Sequence, residues 1–333
     1  MRLPAWMTTL VLLTAGAVAA DEVPRTIERR DPRFDRLVPK DAVIETLADG
    51  YRWTEGPVWD RSQKAVLFSD IPANAVMRWK EGGGSPDVFL KPSGYLGTRP
   101  FEGREPGSNA LTFDSRSRLV LCQHGERRVA RLEKDGSFAV LADRYQGKRF
   151  NSPNDLVFHS NGDLFFTDPA YGLPKTFDDP AREIPWCGVY RLKVSGEVVL
   201  LTKELKAPNG VALSPDEKRL YVTSSHADEM LVMVYDLASD GSIASSHVFA
   251  DMKPWKAKGP GAPDGIKVDA AGNVYSTGPG GVHVFASDGA HLGSFLTGVP
   301  TSNVNWGDDG STLYITANTA LCRVKLTTRG KGF

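Results

Sequence analysis

One phrase recurs along the chain: a turn with Asn, Asp or Glu, an alternating apolar strand, a polar turn and a second strand. A period of about 40 to 50 residues built from short strands is typical of propeller blades. We therefore predict an all-β fold, a six-bladed β-propeller. The copies lie 39 to 55 residues apart and begin at six anchor residues, Glu55, Asn109, Asn154, Asn209, Asp264 and Asn303.

The two ends of the repeat predict how the ring closes. The last copy supplies only three strands before the C-terminus, whereas residues 42–47 form a strand that precedes the first anchor. We predict that this N-terminal strand completes the sixth blade, which leaves no unpaired edge between the first and last blades. The catalytic propeller domain then spans residues 42–333, after an N-terminal extension over 21–41.

The first twenty residues have the pattern of a secretory signal peptide. Arg2 precedes an apolar run, and small residues follow from Ala17 to Ala20. The apolar run is shorter than the roughly 20 residues of a membrane span. We predict a signal peptide over 1–20 and an exported protein, periplasmic or secreted, that does not associate with a membrane.

The charge balance and the cysteine content indicate which binding partners and which disulfides to expect. The 40 basic and 40 acidic residues balance and form no long block, so no nucleic-acid partner is expected. Three cysteines are too few for a disulfide framework, and we interpret Cys122, Cys187 and Cys322 as buried core residues, although one disulfide stays open. A monomer or a small homo-oligomer is expected.

The six anchors predict a metal site. The innermost strand of every propeller blade starts near the central axis, so two carboxylates and four amides converge there. Without a cation or water these groups would repel one another or stay unsatisfied. Oxygen ligands favour a hard ion, Ca²⁺ before Mg²⁺ or Mn²⁺, and Zn²⁺ is less favoured because no His or Cys is an anchor. A plain turn role for the anchors is the alternative.

Several longer phrases carry a resemblance to a known family. They are Glu55–Pro57, Ser152–Asp155, Phe166–Leu173, Pro208–Gly210 and Pro263–Gly265. In this order they resemble the gluconolactonase and regucalcin (senescence marker protein) family over residues 42–326. The resemblance implies one divalent cation held by Glu55, Asn209 and Asp264. Asn154 matches a position that binds metal in some relatives and faces substrate in others, and related diisopropylfluorophosphatase and paraoxonase propellers support counting it as a ligand.

The resemblance also implies a reaction. A hard cation polarises a lactone carbonyl and lowers the pKa of bound water, and hydrolysis then needs a proton acceptor. The family assigns the Asp264 position a ligand and a general-base or nucleophile role, so Asp264 is the predicted catalytic residue and a sugar lactone the predicted substrate. Two alternatives stay open: another metal-dependent esterase or phosphotriesterase, and a non-catalytic calcium-binding propeller.

Other residues are predicted to lie on the same face, because the turn after each second strand returns there. The substrate-facing or ligand-supporting candidates on these turns are His124, Asp168, Tyr171 and His226. The anchors Asn109 and Asn303 are further candidates, with a plain turn role as the alternative for each. For His124 a structural role, for Asp168 a turn cap, and for Tyr171 a place in the pocket wall are the favoured interpretations. The insertions 91–107 and 176–186 interrupt the blade rhythm, and we predict that they overhang this face as a lid, with Arg99, Glu102, Arg104 or Glu105 touching hydroxyl groups.

Overall fold

The computed structural model describes residues 25–333. The predicted signal peptide lies outside these residues. Within them the regular structure is almost all β, with short 3-10 helices at Pro32–Arg36, Ile71–Ala73, Thr176–Asp178 and Lys253–Lys258. In the part of the chain that the structure describes, no helix is long and apolar enough to cross a membrane.

Six antiparallel sheets form the blades of a β-propeller, so the predicted fold class is confirmed. Strands β1 (Thr26–Arg29) and β2 (Glu45–Ala48) come first. Blades one and two consist of β3 (Thr54–Asp60), β4 (Ala65–Asp70), β5 (Ala75–Lys80), β6 (Asp87–Leu90), β7 (Ser108–Phe113), β8 (Leu119–Gln123), β9 (Arg128–Leu132) and β10 (Phe138–Ala142).

A two-stranded ribbon, β11 (Arg144–Tyr145) and β12 (Lys148–Arg149), leads to the remaining blades. These consist of β13 (Leu156–Phe158), β14 (Leu164–Asp168), β15 (Gly188–Leu192) and β16 (Val198–Thr202); β17 (Pro208–Leu213), β18 (Arg219–Ser224), β19 (Leu231–Leu237) and β20 (Ile243–Asp251); β21 (Ile266–Val268), β22 (Val274–Gly278), β23 (Gly281–Phe285) and β24 (His291–Leu296); and β25 (Thr301–Gly307), β26 (Thr312–Ala317) and β27 (Ala320–Lys325).

The N-terminal segment closes the ring as predicted. Strand β2 pairs with β27, with Glu45 opposite Arg323 and Thr46 opposite Cys322, and so supplies the fourth strand of the sixth blade. The preceding strand β1 pairs with β24 and adds a fifth strand to the outer edge of the fifth blade. This second pairing was not predicted, because a four-residue strand is too short to show a period.

The core lies between neighbouring blades, where the apolar faces of adjacent sheets meet. At the seam between the last and first blades, Tyr314 of β26 packs with Val66 and Phe68 of β4. The Tyr314 ring also stacks on Trp59, with ring centroids 6.0 Å apart. All three cysteines are buried in the described part of the chain, and none forms a disulfide there. A sheet that lies between two other sheets buries both of its faces, so apolar residues occur on both faces of its strands.

Candidate active site at the propeller axis

Four of the six innermost strands, β3, β7, β17 and β25, have an irregular pairing register at their anchor residue, whereas β13 and β21 begin two residues after theirs. The pairing register shifts between Glu55 and Val58, between Pro208 and Val211, and between Thr301 and Asn303. A bulge of this kind removes one residue from the ladder and redirects its side chain. The sequence permits it because turn-forming Gly or Pro residues adjoin several anchors. At these shifts the anchor side chain leaves the regular alternation of its strand, and the side chains of Glu55 and Asn303 meet in a hydrogen bond between two blades.

Glycines let the innermost strands approach one another closely. A Cβ atom on Gly210 would lie 2.2 Å from the Asp264 carbonyl oxygen, and one on Gly265 would lie 2.0 Å from Asn303 Oδ1. Neither position has room for any side chain. Gly210 and Gly265 therefore allow the strands that carry Asn209, Asp264 and Asn303 to lie close together.

Hydroxyl groups on the second strands fix the anchor backbones of the next blade. Thr223 Oγ1 donates to the Asp264 carbonyl at 2.6 Å, and Thr167 Oγ1 donates to the Asn209 carbonyl at 2.6 Å. Ser69 Oγ donates in the same way to the Asn109 carbonyl at 2.8 Å. These cross-blade hydrogen bonds pre-position the anchors before any ligand binds.

Glu55 is the most deeply buried acidic anchor, with an exposed fraction of 1 %. Its Oε2 accepts the Gly56 N–H at 2.6 Å and an Asn303 Nδ2–H at 3.0 Å. Burial raises the pKa of Glu55 to about 8, although these two donors lower it. Asn303 Oδ1 is already occupied by the Val304 N–H at 2.9 Å, so Asn303 orients Glu55 with its amino group.

Three other anchors carry an oxygen that lacks a donor. Within residues 25–333, no group donates a hydrogen bond to the buried Asn109 Oδ1, Asn209 Oδ1 or Asp264 Oδ1. The Asn209 amino group is fixed by donating to Ser225 Oγ at 2.9 Å, which leaves its oxygen free to face the axis. Burial, and next the charge of Glu55, raises the pKa of Asp264 well above its usual range.

This donor set fits a hard cation. Unpaired buried oxygens are costly unless a partner arrives, and carboxylate and amide oxygens are the ligands that Ca²⁺ prefers. In the described ranges, no group of three or more His, Cys, Asp and Glu side chains is placed to hold a metal. Amides must therefore complete the site. The Asn154 side chain is also buried, on the innermost edge of the third blade, with an exposed fraction of 2 %.

His124 lies in a closed pocket beside the insertion 91–107. Its side chain is fully buried, and a Cβ atom on Gly172 would lie 2.6 Å from the imidazole Cγ. His124 Nδ1 lies 2.8 Å from Glu105 Oε2, although the angle at the ring nitrogen departs from that of a good hydrogen bond. Sequence reasoning gave no sign that Glu105 contacts His124.

Tyr171 and Asp168 have different environments. Tyr171 packs edge-on against Phe177 of the second insertion at 5.2 Å, and burial raises its pKa, with nearby Asp264 adding to the effect. Asp168 is fully buried, and its two oxygens accept the N–H groups of Asn151 and Ser152 at 2.9 and 2.8 Å. Burial raises the pKa of Asp168 to about 7. Tyr171 therefore forms a wall near Asp264, whereas Asp168 caps a turn.

His226 faces its own turn on the rim. Its Nδ1 accepts the Asp228 N–H at 3.2 Å, and its side chain is 37 % exposed. The structure thus brings Glu55, Asn209, Asp264 and the other anchors together, but it leaves His226 at the periphery.

A buried ion pair next to the anchors was not predicted. Asp155 follows Asn154 and has an exposed fraction of 2 %, and its Oδ2 lies 3.5 Å from Lys267 Nζ. The same carboxylate accepts the Leu156 and Val211 N–H groups, which ties the third blade to the fourth. The only sequence signal was the polar residue directly after an anchor, where the other copies have Gly, Ala or Val.

Comparison with protein families places the whole propeller in one group. Residues 53–319 match the family model described as "SMP-30/Gluconolactonase/LRE-like region". A gluconolactonase from Zymomonas mobilis subsp. mobilis is 37 % identical over 335 residues, which covers 97 % of this chain and 94 % of that protein. The pentonolactonase XacC of Haloferax volcanii is 27 % identical, covering 82 % of this chain and 84 % of its own length.

Solved structures give the same result. A gluconolactonase from Xanthomonas campestris superposes with a TM-score of 0.78 at 32 % identity, covering 95 % of this chain and 99 % of its own. A regucalcin from Agrobacterium tumefaciens, described as a calcium-binding protein, superposes with a TM-score of 0.67 at 19 % identity, covering 88 % and 96 %. The second similarity concerns the fold alone.

Proposed function

Since the chain belongs to the SMP-30/gluconolactonase/LRE-like family, we propose that its axial site hydrolyses sugar lactones with the help of one divalent cation. The protein is a lactonase, and sugar lactone hydrolysis is the activity that its relatives support. The observation that carries the metal-dependent step is the set of unpaired buried oxygens on Asn109, Asn209 and Asp264.

The proposed ligands are Glu55, Asn154, Asn209 and Asp264. Asn109 joins them as a candidate, because its free Oδ1 is buried like that of Asn209. Ca²⁺ is the proposed ion, since all candidate donors are oxygens and two carboxylates would balance its charge. A cation bound here would act as a Lewis acid on the lactone carbonyl and lower the pKa of water.

Asp264 is the proposed proton acceptor for the attacking water. Its backbone is locked, because its carbonyl accepts from Thr223 and Gly210 and its N–H donates to Thr277 Oγ1 at 2.9 Å. Only the carboxylate is left to move. Asp264 is also partly exposed, whereas Glu55 is buried, so of the two acidic anchors Asp264 is the one a substrate can reach.

Hydrolysis of glucono-δ-lactone, corrected for spontaneous opening, tests this proposal. We expect activity to fall to background with EDTA, to return with Ca²⁺, and to fall by at least about 100-fold in Asp264→Asn, because the change removes the base and one of the two charges that would balance the cation. Asp114→Asn is the matched control, since Asp114 caps a hairpin turn by accepting from Arg116 and Arg118.

Phenyl acetate and paraoxon are assayed beside the lactone. A folded protein that binds Ca²⁺ and cleaves these esters, but not the lactone, would contradict the substrate class. Full lactonase activity after complete removal of the metal would contradict the metal-dependent step.

We also propose that residues 1–20 direct export to the periplasm or outside the cell. The proposal rests on the basic, apolar and small-residue order of this segment. Fractionation of cells expressing the full chain tests it, because an exported protein would appear in the periplasmic or culture fraction in a shortened form. Retention of full-length protein in the cytoplasm would contradict it.

A further inference from the structure

The insertion 91–107 is tied to the propeller by a dense set of backbone contacts. Asn74 Oδ1 accepts the N–H groups of Ser93, Gly94 and Tyr95 at 3.1, 2.8 and 3.3 Å, and its amino group donates to the Tyr95 carbonyl at 2.8 Å. Asn74 itself has a left-handed backbone, with φ of 54°. One side chain thus holds the start of the insertion against the first blade.

The far end of the insertion is held in the same way. The Gly107 N–H donates to the Ile71 carbonyl at 3.0 Å, and the His124 N–H donates to the Gly107 carbonyl at 3.1 Å. The two ends also touch, since a Cβ atom on Gly94 would lie 2.2 Å from the Gly107 carbonyl carbon. The insertion is therefore held at both ends, and it stops two residues before the anchor Asn109.

Glu105 connects this insertion to a buried imidazole. Its carboxylate lies 2.8 Å from His124 Nδ1, and His124 is fully enclosed while the Glu105 side chain is 27 % exposed. The Gly172 backbone packs on the other side of the imidazole and fixes the ring. The imidazole approaches one oxygen of the Glu105 carboxylate, although neither ring nitrogen forms a hydrogen bond within residues 25–333, so the carboxylate can accept hydrogen bonds from another partner.

The negative charge of Glu105 acts on the two acidic anchors, Glu55 and Asp264. Its negative charge contributes to the raised pKa values of Glu55 and Asp264, and to that of Tyr171. The contact of Glu105 with His124, against which Gly172 packs, places Glu105 beside the turn that carries Tyr171 and Gly172.

We propose that Glu105, held in place by His124, recognises the ring hydroxyl groups of the lactone and sets the preference for polyhydroxylated rings. This proposal rests on the proposed function. A carboxylate accepts hydrogen bonds from hydroxyls through both oxygens. Recognition of this kind discriminates strongly, because a ring without hydroxyls leaves the carboxylate unpaired. His124 is a positioning residue that acts through Glu105.

Comparison of two lactones tests the proposal. Glucono-δ-lactone carries the hydroxyls, and δ-valerolactone is the same ring without them. For Glu105→Gln we expect KM for glucono-δ-lactone to rise by at least about tenfold with kcat within about threefold, because a charged acceptor is lost. KM for δ-valerolactone stays unchanged, and any effect of the lost charge on kcat stays within the same threefold range for both lactones, because it acts through Glu55 and Asp264. Glu197→Gln is the control, since Glu197 is an exposed residue on the turn between β15 and β16 and its carboxylate contacts Lys193 Nζ there, at 2.8 Å.

His124 variants test the positioning role. His124→Asn keeps a donor near the place of Nδ1 and is expected to retain most of the wild-type KM, whereas His124→Leu removes the donor and is expected to match Glu105→Gln. Calorimetric binding of D-glucono-δ-lactam, an unreactive ring with the same hydroxyls, gives a readout that does not require turnover. We expect the lactam Kd to rise with KM in Glu105→Gln.

Two results overturn the proposal: an unchanged KM and lactam Kd in Glu105→Gln, or equal losses on both lactones. If His124→Leu does not fold, the Glu105→Gln and His124→Asn comparisons still decide it. Failure of the proposed function looks different, since the wild type would then hydrolyse neither lactone, and the proposal on Glu105 would fall if the lactam also did not bind.

Discussion

Asn303 donates its amide N–H to Glu55 Oε2 at 3.0 Å, across the seam where the last blade meets the first. The two residues are 248 positions apart in the chain. The hydrogen bond that orients Glu55 therefore forms only when the first and last blades meet.

The Asn303–Glu55 contact predicts the effect of Asn303→Asp. The change replaces a donor by a second carboxylate, which would repel Glu55 and disturb its orientation. Loss of a residue that orients a metal ligand typically costs about 10-fold to 100-fold in metal affinity or activity. We expect a Ca²⁺ affinity at least about tenfold weaker by calorimetry. Asn305→Asp is the control, because Asn305 lies on the same strand and donates to the Pro57 carbonyl. Equal affinities for the two variants would contradict the prediction.

The close approach of two strands at Gly210 predicts that a single added methyl group destabilises the protein severely. In Gly210→Ala the new Cβ would lie 2.2 Å from the Asp264 carbonyl oxygen, which is backbone and cannot move aside alone. We expect destabilisation of about 3 kcal/mol or more by urea unfolding, together with weaker Ca²⁺ binding. Gly83→Ala is the control, since its nearest neighbour would be the Lys80 carbonyl oxygen at 3.2 Å on an exposed turn. Wild-type stability of Gly210→Ala would show that the strands can separate.

The Asp155–Lys267 pair predicts a rescue experiment. Lys267→Met leaves a carboxylate with an exposed fraction of 2 % without its cation, and removal of one partner of a buried pair typically costs about 3–5 kcal/mol. We expect a loss of about 3 kcal/mol for Lys267→Met. Adding Asp155→Asn should recover part of it, because the uncompensated charge is gone. A double-mutant cycle by urea unfolding measures the coupling, and strictly additive losses would argue against the pair.

His283 predicts a pH dependence of stability. The ring is fully buried, its Nδ1 lies 2.9 Å from Ser294 Oγ, and burial lowers its pKa to about 3 from a usual 6.5. The folded state therefore keeps the neutral ring while the unfolded state takes up a proton. The contribution is fully present above pH 6.5 and is lost as the pH falls from 6.5 towards 3.

Urea unfolding between pH 7 and about 4.5 measures this slope. We expect the wild type to lose at least about 1 kcal/mol more than His283→Asn over this range, because each unit of pKa difference corresponds to about 1.4 kcal/mol. His247→Asn, on the exposed face of β20, is the control. Parallel profiles for wild type and His283→Asn would contradict the buried neutral imidazole.

Much of the fold could be predicted because the sequence repeats. Six anchors and their strand pairs were visible as a period, and the surplus strand near the N-terminus predicted the partner of β27. Strand β1 was not foreseen, because four residues without a repeat find their place only through the exposed edge of β24.

The site was predictable to the extent that it uses repeated positions. Glu55, Asn209 and Asp264 occupy equivalent places in their blades, so topology alone brings them together. The role of Asn303 depends on which amide atom faces Glu55, and the place of Glu105 depends on the path of an insertion fixed by Asn74. Such contacts arise from tertiary packing, and neither spacing nor composition records them.

Pairing of β2 with β27 and of β1 with β24 has a consequence for synthesis of the protein. The first strands to leave the ribosome have no partners until nearly the whole chain has been made. Until then the circle stays open and the Glu55–Asn303 contact cannot form. The binding centre is therefore assembled last, and a chain that stops short of β27 would carry all six anchors but lack the strand that pairs with β2 and completes the ring.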